Sequence, residues 1–449
     1  MPKFPDKLIP RTPCGAFWAG FLLCLSVCFF IIFVISPLTG LSKEFSQAHD
    51  GYIELTRSLH NGYGYVFEKD GPAVFHRPPA YPLFLYPLTC LPESLQRTGL
   101  IVMQSLLVGC ILYMIFKAAE QLYGLAVAQI TAFLFLLNPW VYWNAKNPMT
   151  PVLQAFLFTL FALLLSRETL VVLDKKQTAF AATKLWLDRL VLAIAGAALV
   201  LTHGAMIASV MSLLFLAFLI SLLHRNKHLL ATSVAAGALT ICLVAPWTYR
   251  NWVTFNRFIP IAGGSGLGYF IGAVHWSGTI DQPQQPGETY IDAALRAAGL
   301  DGKENTLTHW KGLKNISHED LINRKMRRHI REHPLLFARK LLLNGIEYYF
   351  PVITYRFKAI KKFSAEDVAL TLFHLTLWTL AAIAVIKQRA GNQPLLPIGL
   401  FLTAILLYAV WYFPFVTFIG HGLYTFGTIP LLSILAAKGV AQIKSPAGT

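Results

Sequence analysis

The run FWAGFLLCLSVCFFIIFVISPL, residues Phe17–Leu38, decides the fold. Its length matches the roughly 20 apolar residues that a helix needs to cross a bilayer. Similar runs recur along the 449-residue chain, which is 55% hydrophobic and only 13% charged. Soluble domains carry about 25% charged residues. The sequence therefore predicts an all-α integral membrane protein, a polytopic bundle of about 10–13 transmembrane helices.

The main predicted spans, about ten in all, are 14–40, 98–117, 125–142, 151–172, 189–204, 205–223, 229–248, 366–387, 394–412 and 414–437. Two further segments fit a span less well. Residues 80–91 are few and interrupted by proline, and residues 335–357 follow Pro334 and include Arg339 and Lys340. We expect the first to be a half-buried helix beside the membrane and the second to be interfacial.

Basic residues set the predicted orientation. Lys3, Lys7 and Arg11 precede the first span, and the loops predicted to lie on the same side are also basic. Cytoplasmic loops are rich in lysine and arginine, so the N-terminus is expected in the cytoplasm. The net charge of +16 then belongs to loops that face anionic lipid. No basic domain stands out, so nucleic acid is not an expected partner.

The predicted spans divide the chain into three regions. Residues 1–248 form an N-terminal membrane module whose first external loop is 41–97. Residues 249–350 form a larger external loop with interfacial helices, and residues 351–449 hold the last spans. These boundaries predict two loops on one side of the membrane.

The larger loop contains a predicted basic helix. Ser317 and Asp320 have the spacing of a capping box, and an apolar stripe repeats every four residues after it, at Ile322, Met326 and Ile330. We expect this helix to lie on the membrane surface. The glycine-rich stretch 263–268 lacks a phosphate-loop pattern and is expected to be a flexible turn.

Metal and thiol chemistry have little support in the sequence. The six cysteines fall in or beside apolar runs without paired spacing, as small apolar residues do. No H-E-x-x-H, Cys-x-x-Cys or G-x-S-x-G motif occurs. We predict no metal site and no cofactor, while a divalent metal stays compatible with the residues present.

A polar island follows the first span, with the sequence His49-Asp50-Gly51-Tyr52-Ile53-Glu54. A carboxylate at a span exit is charged without the full cost of burial in hydrocarbon, and it can serve as a general base. If the segment is helical, Asp50 and Glu54 lie on one face. A solvated helix face would have the same pattern. Nearby aromatic residues such as Tyr52 favour a site at Asp50.

A second motif is His76-Arg77-Pro78-Pro79-Ala80-Tyr81-Pro82. The prolines fix an extended backbone, and arginine suits bidentate contact with phosphate. The alternative is an interfacial arginine that snorkels to the head groups. We regard Arg77 as a phosphate ligand, with His76 and Tyr81 as substrate-binding candidates.

Further candidates lie at the predicted external ends of spans. Lys146 and Arg250 can share the charge of an anionic head group, although ordinary residues at a span end would look the same. His203 interrupts an apolar run, where capping of a tight turn is the favoured interpretation and substrate binding the alternative. His421 and Tyr424 at the last external turn are similar.

Several short motifs follow one another along the chain. They are Asp50-x-Tyr52, Thr56-Arg57-x-Leu59, Asn61-Gly62-x-Gly64-Tyr65, Arg77-Pro78-Pro79-x-Tyr81-Pro82, Pro246-Trp247-Thr248-x-Arg250-Asn251, Phe255-x-Arg257-Phe258-x-Pro260, His329-Ile330-x-x-His333-Pro334 and the tail from Tyr424 to Pro430. Together they resemble the GT-C glycosyltransferases, in the bacterial branch of protein O-mannosyltransferases and aminoarabinose transferases. The chain departs from that pattern at Asn147–Pro151, which has no acid, at Leu423 and at His203-Gly204.

The resemblance implies an enzyme of the bacterial inner membrane with its active site on the periplasmic side. It implies a polyprenyl-phosphate sugar donor, Asp50 as the family's acidic residue in the first loop, which would act as the base, and Arg77 at the donor phosphate. The expected reaction is transfer of the sugar to a glycolipid, glycan or protein acceptor with inversion. The alternatives are a flippase or transporter for a lipid-linked glycan and a non-catalytic membrane subunit.

Overall fold

The computed structural model of the chain describes residues 10–35, 51–173, 185–281, 285–286, 290–299, 316–359, 365–391, 395–411 and 425–444. Within these ranges the regular structure is helical, apart from two isolated β-bridges that pair Val66 with Ala73 and Trp276 with Lys358. The predicted all-α class is confirmed.

The α-helices are, in chain order, α1 (Pro13–Phe30), α2 (Tyr52–His60), α3 (Ala80–Leu85), α4 (Glu93–Tyr123), α5 (Leu125–Leu136), α6 (Pro139–Lys146), α7 (Pro151–Leu173), α8 (Leu185–Thr202), α9 (Met206–Leu223), α10 (Lys227–Phe255), α11 (Ser265–His275), α12 (Tyr290–Ala297), α13 (Ile316–Glu332), α14 (Pro334–Tyr349), α15 (Pro351–Thr354), α16 (Ala365–Ala390), α17 (Leu396–Val410) and α18 (Ile429–Lys444). A π-helical turn, Ile31–Ile35, extends α1, and 3₁₀ turns cover Tyr86–Cys90 and Tyr355–Phe357.

Six helices in the described part are long and apolar enough to cross a membrane, namely α1 with its π turn, α4, α7, α9, α10 and α16. Helices α5 and α6 together form a seventh candidate that bends by 55°. The bend falls where Asn138 caps α6 and Pro139 begins it. Helices α17 and α18 are apolar but shorter. A polytopic helical membrane protein is confirmed, and the total of about 10–13 spans stays a prediction.

Glycines bring the first and last helices of the bundle close to their neighbours. In α4, a Cβ on Gly109 would lie 2.9 Å from the Phe17 carbonyl oxygen of α1. In α18, a Cβ on Gly439 would overlap the Leu380 carbonyl oxygen of α16. Membrane helices associate through such small residues because lipid supplies no hydrophobic drive between them.

The six cysteines are free thiols, as predicted. Cys24 and Cys28 are buried one turn apart in α1, with their sulfurs 4.0 Å apart. Cys14, Cys90 and Cys242 are exposed, and Cys110 is half-buried.

A second apolar core lies outside the bundle. Residues 51–91, 256–281 and 316–358, which we call the cap, contribute to a cluster that includes Phe75, Leu267 and Phe270, and α12 contributes Ala294 and Leu295. The stripe Ile322, Met326 and Ile330 of α13 packs on this cluster. The apolar stripe therefore faces protein rather than the membrane surface, which corrects the expected orientation of the helix.

One local expectation for the cap is wrong. Residues 263–268 are not a flexible turn, because Gly264, at φ 93°, precedes α11 and the glycines at 266 and 268 are buried within it. A side chain at position 266 would meet Asn323 and Ile322, so only glycine allows this contact. The capping box of Ser317 and Asp320 stays a prediction, since the Ser317 side chain lies outside what the structure describes, while Asp320 binds Arg257 at 3.1 Å.

The short segment 80–91 behaves as expected. It forms α3 and the 3₁₀ turn Tyr86–Cys90, far fewer residues than the roughly 20 of a span. Helix α14, in the other uncertain segment, buries Lys340 and Glu347 within the cap. Its predicted place at the membrane interface stays a prediction.

Candidate functional site

The described part of the first loop begins at Gly51. This residue has φ 75°, in the left-handed region, and its missing side chain leaves room for the Phe67 ring. Helix α2 therefore begins at Tyr52. Asp50 lies outside the described residues, so its predicted place on one face with Glu54 stays a prediction. The helix that holds Glu54 begins after Gly51.

Tyr65 is the centre of the site. Its hydroxyl donates to the carbonyl oxygens of Arg77 (3.0 Å) and Pro78 (2.9 Å), which fixes the backbone of the Arg-Pro-Pro motif. Burial raises the pKa of Tyr65 well above its usual value, although Arg250 and Arg77 partly offset this. The phenol therefore stays protonated and keeps donating. The Arg77 guanidinium lies 5.3 Å from the centre of the Tyr52 ring.

Arg250 also lies beside Tyr65, near the end of α10. Its guanidinium carbon is 5.4 Å from the Tyr65 ring centre and 4.9 Å from that of Trp247, and its Nη1 donates to the Val74 carbonyl at 2.9 Å. Cations bind well over aromatic faces. The fold thus brings two predicted phosphate ligands, Arg77 and Arg250, to one buried tyrosine.

His203 joins this group from the turn between α8 and α9. Burial of the ring and, second, the positive charge of Arg77 lower the pKa of His203 to about 4. Its imidazole is therefore neutral at neutral pH and can both donate and accept a hydrogen bond. The structure places His203 beside Arg77, which favours the substrate-binding interpretation over a turn cap alone.

An open apolar cavity of about 420 Å³ lies near this group of residues, although its lining does not include the two arginines or the histidine. It lies between α8, α9 and α10, and its lining includes Val200 and Ile207 on either side of the His203 turn. Thr248 and Tyr249, which precede Arg250, also line it. The outer rim is exposed and aromatic, with Tyr249, Trp252 and Phe258. The cavity therefore opens at an exposed aromatic surface, and its lining reaches the two residues that precede Arg250.

The remaining predicted residues are more scattered. Tyr81 is fully buried, with its ring against Tyr52 at 5.0 Å, and so supports the site rather than lining it. His76 is also buried, between Phe67 and Phe75. Glu54 is half-buried on α2.

Lys146 belongs to a different group. Its Nζ lies 4.0 Å from the Trp143 ring centre, and Arg97 and Cys28 are its electrostatic neighbours. Gln104 of α4 fixes this end of α6 by donating to the Asn147 carbonyl at 2.7 Å. The predicted phosphate contact of Lys146 stays a prediction. His421 and Tyr424 lie outside the described residues.

Sequence reasoning missed several hydrogen bonds that hold the segments around the site together. Glu319 is buried and accepts from the Gly264 amide at 2.8 Å, and the Gly263 amide donates to the Phe75 carbonyl at 2.9 Å. Burial raises the pKa of the Glu319 carboxyl, although the Gly264 amide partly offsets this. Trp247 donates from its indole to the Ile261 carbonyl at 2.7 Å. Only the tryptophan, beside a span end, carried a sequence signal.

A buried ionic cluster in the cap was also missed. Glu347 lies 2.9 Å from the Lys358 ammonium and 3.5 Å from His275 Nε2, and it accepts from the Thr354 hydroxyl at 3.1 Å. These groups join α14 to α11 and to the 3₁₀ turn beyond α15. Breaking such a buried pair leaves an uncompensated charge, so the cluster fixes the geometry of the cap.

Lys340 predicts a pH dependence of stability. Its ammonium is buried 4.5 Å from the Tyr269 ring centre, and burial lowers the pKa of Lys340 to about 7. An unfolded lysine titrates near about 10.4, so between these values the folded state binds fewer protons and stability rises with pH. We expect the melting temperature to rise by a few degrees from pH 7 to pH 9.

The control is Lys340→Met, measured by thermal melting in the same detergent. This variant should lack the rise, and parallel curves for the two proteins would contradict the prediction. Other groups around Lys340 titrate outside the window. Burial lowers the pKa of His329 from its usual value of about 6.5, so this group titrates below the pH range of the test. Burial raises the pKa of Tyr269 to about 12, which is above that range.

No protein-family model and no curated protein sequence matches this chain. In structure it is similar to the archaeal oligosaccharyltransferase AglB from Archaeoglobus fulgidus, solved in complex with an inhibitory peptide and a dolichol-phosphate. The TM-score is 0.51 at 13% identity, and the match covers 94% of this chain and 50% of that chain. The same enzyme tethered with an acceptor peptide gives a TM-score of 0.51 at 12% identity, covering 94% and 49%.

A looser likeness is to ArnT from Cupriavidus metallidurans bound to undecaprenyl phosphate. Its TM-score is 0.38 at 16% identity, covering 93% of this chain and 78% of that chain. The chain spans about half the length of the oligosaccharyltransferase. At these identities the likeness to the oligosaccharyltransferase shows the fold, and it agrees with the resemblance found in the motifs. This chain therefore has the fold of that oligosaccharyltransferase over the matched half, a helical membrane architecture.

Proposed function

We propose that this protein is a membrane glycosyltransferase that transfers a sugar from a polyprenyl-phosphate donor to a glycolipid, glycan or protein acceptor. The observation that carries the proposal is the position of Arg77 and Arg250 near one buried tyrosine, Tyr65, with an apolar cavity lined by the two residues that precede Arg250. Two arginines near an apolar cavity suit a lipid with an anionic head group. A polyprenyl phosphate has this form.

The cavity fits the apolar part of such a donor. Its volume falls within the range of about 300–1,000 Å³ that is usual for ligand sites. The exposed rim at Trp252 and Phe258 gives a prenyl chain a route from lipid without exposure to water. The phosphate would then reach the arginines, and the neutral His203 would offer it a hydrogen bond.

The chemistry follows from this placement. The leaving group is a phosphate, and cations placed where negative charge develops lower the barrier to its departure. Asp50, next to the N-terminus of α2, would deprotonate the acceptor for one in-line displacement. Such a displacement inverts the sugar carbon. Holding donor and acceptor in one cleft supplies further rate.

The structural relative supports the kind of partner. The Archaeoglobus fulgidus oligosaccharyltransferase was solved with a dolichol-phosphate and with an acceptor peptide. The basic residues before the first span support a cytoplasmic N-terminus. The site would then lie on the periplasmic face of a bacterial inner membrane.

The test is transfer by the purified protein in nanodiscs, with radiolabelled polyprenyl-phosphate sugars and a membrane extract as acceptor. We expect label to move to a product with wild type and to fall by at least about 100-fold with Asp50→Asn. A variant that inserts normally and transfers at the wild-type rate would exclude Asp50 as the base. Donor binding without transfer by wild type would favour a flippase or a non-catalytic subunit.

A further inference from the structure

Helix α13 has a strongly basic outer face. The arginines at 324, 327, 328 and 331 follow the i, i+3, i+4, i+7 spacing of one helical face, and all four are exposed. We call them the arginine face. The opposite side of the helix carries the apolar stripe that packs on the cap core. Because that stripe is already covered by protein, the arginine face is the side that α13 presents outward.

The first turn of α13 is fixed at the end of a membrane span. Asp320 binds Arg257, which follows α10 directly, with Nε and Oδ2 3.1 Å apart. At this end of α10, Trp252 is 57% exposed and Phe258 is 78% exposed. Exposed aromatic residues at a span end lie at the level of the lipid head groups. Helix α13 therefore begins close to the membrane–water boundary.

The other end of α13 also leads to exposed apolar side chains. After Glu332 the chain turns into α14, where Leu335 is 83% exposed and Leu342 is 64% exposed. These leucines are seven residues apart and so lie on one side of α14. Basic residues between exposed apolar anchors are typical of helices that lie in a membrane interface.

We propose that the arginine face is a docking surface for the anionic lipid head groups of the surrounding membrane. Guanidinium groups bind lipid phosphate through paired hydrogen bonds, and anionic leaflets attract basic segments. A soluble acidic polymer would explain the arginines but not the apolar anchors at both ends of α13. The contact goes beyond sugar transfer, because it holds the cap against the bilayer whatever the acceptor is.

The experiment measures lipid retained by the whole protein. Wild type is purified from nanodiscs of phosphatidylcholine with phosphatidylglycerol, and the bound lipids are counted by mass spectrometry. The test variant is the triple Arg324→Gln, Arg327→Gln, Arg331→Gln, and the charge-matched control replaces the same three by lysine. A further control is Arg57→Gln, since Arg57 is a basic cap residue that is already paired with Glu93 at 2.7 Å.

We expect wild type, the lysine triple and Arg57→Gln to retain phosphatidylglycerol in excess of its share in the nanodisc. The glutamine triple should lose at least half of that excess while its melting temperature stays near wild type, because the replaced side chains are exposed. Equal excess in the glutamine triple and wild type overturns the proposal. The proposal is also overturned if the triple glutamine variant keeps its phosphatidylglycerol but no longer binds polyglutamate. That result would assign the arginine face to an acidic polymer. Neither result depends on glycosyl transfer.

Discussion

Arg77→Ala is expected to lower sugar transfer by at least about 100-fold, the scale of losing one preorganised group that stabilises developing charge. The Tyr65 hydroxyl holds the Arg77 and Pro78 carbonyls, so the backbone should keep its position when the side chain is removed. The loss should therefore fall on the guanidinium. Because that group is proposed to meet the donor in both ground and transition state, KM for the donor should also rise.

The matched control for this variant is Arg257→Ala. Arg257 is also a cap arginine, but it is half-exposed and paired with Asp320 rather than placed at Tyr65. It should keep transfer within a few-fold of wild type. Arg77→Lys should recover part of the activity, since lysine keeps the charge but not the bidentate geometry. Wild-type donor dependence in Arg77→Ala would remove the phosphate contact from the mechanism.

Gly439→Leu is expected to destroy the packing of α18 on α16. A Cβ at this position would overlap the Leu380 carbonyl oxygen, and a backbone atom of a packed helix has no way to turn aside. Overpacking costs about 1–3 kcal/mol even where side chains can adjust, so a backbone overlap should cost at least that much. The variant should melt at a clearly lower temperature or aggregate on size-exclusion chromatography.

Gly399→Leu in α17 is the control, because nothing lies within 4 Å of a Cβ there. It should elute and melt like wild type. If Gly439→Leu also behaved like wild type, the close approach of α16 and α18 would be wrong.

Hydropathy located the helices well because a span is a local property. The windows around α4, α7, α9 and α10 each coincide with a helix that is long and apolar enough to cross a membrane. The arginines of the site were also found locally, since Arg77 precedes two prolines and Arg250 stands at the end of an apolar run. Their meeting at Tyr65 was not predictable, because Val74 and Arg250 are 176 residues apart and only the fold joins them.

The errors have a common physical origin. Periodicity showed that α13 has one apolar side, but not whether lipid or protein covers it, and the cap core covers it. Glycine content suggested a flexible turn at 263–268, but the glycines at 266 and 268 are buried within α11. The buried contacts of Glu319 and Glu347 could not be predicted from the sequence, since a single glutamate has the same sequence pattern whether it is solvated or buried.

The native thiols make the orientation of the chain measurable without added tags. Cys14 is exposed at the start of α1, and Cys90 is exposed beyond α3, after the first span. Cys242 is exposed within α10, where surrounding lipid keeps it from a water-soluble reagent. A membrane-impermeant maleimide applied to intact cells and then to inverted vesicles would therefore distinguish the two ends of the first span through the unmodified polypeptide.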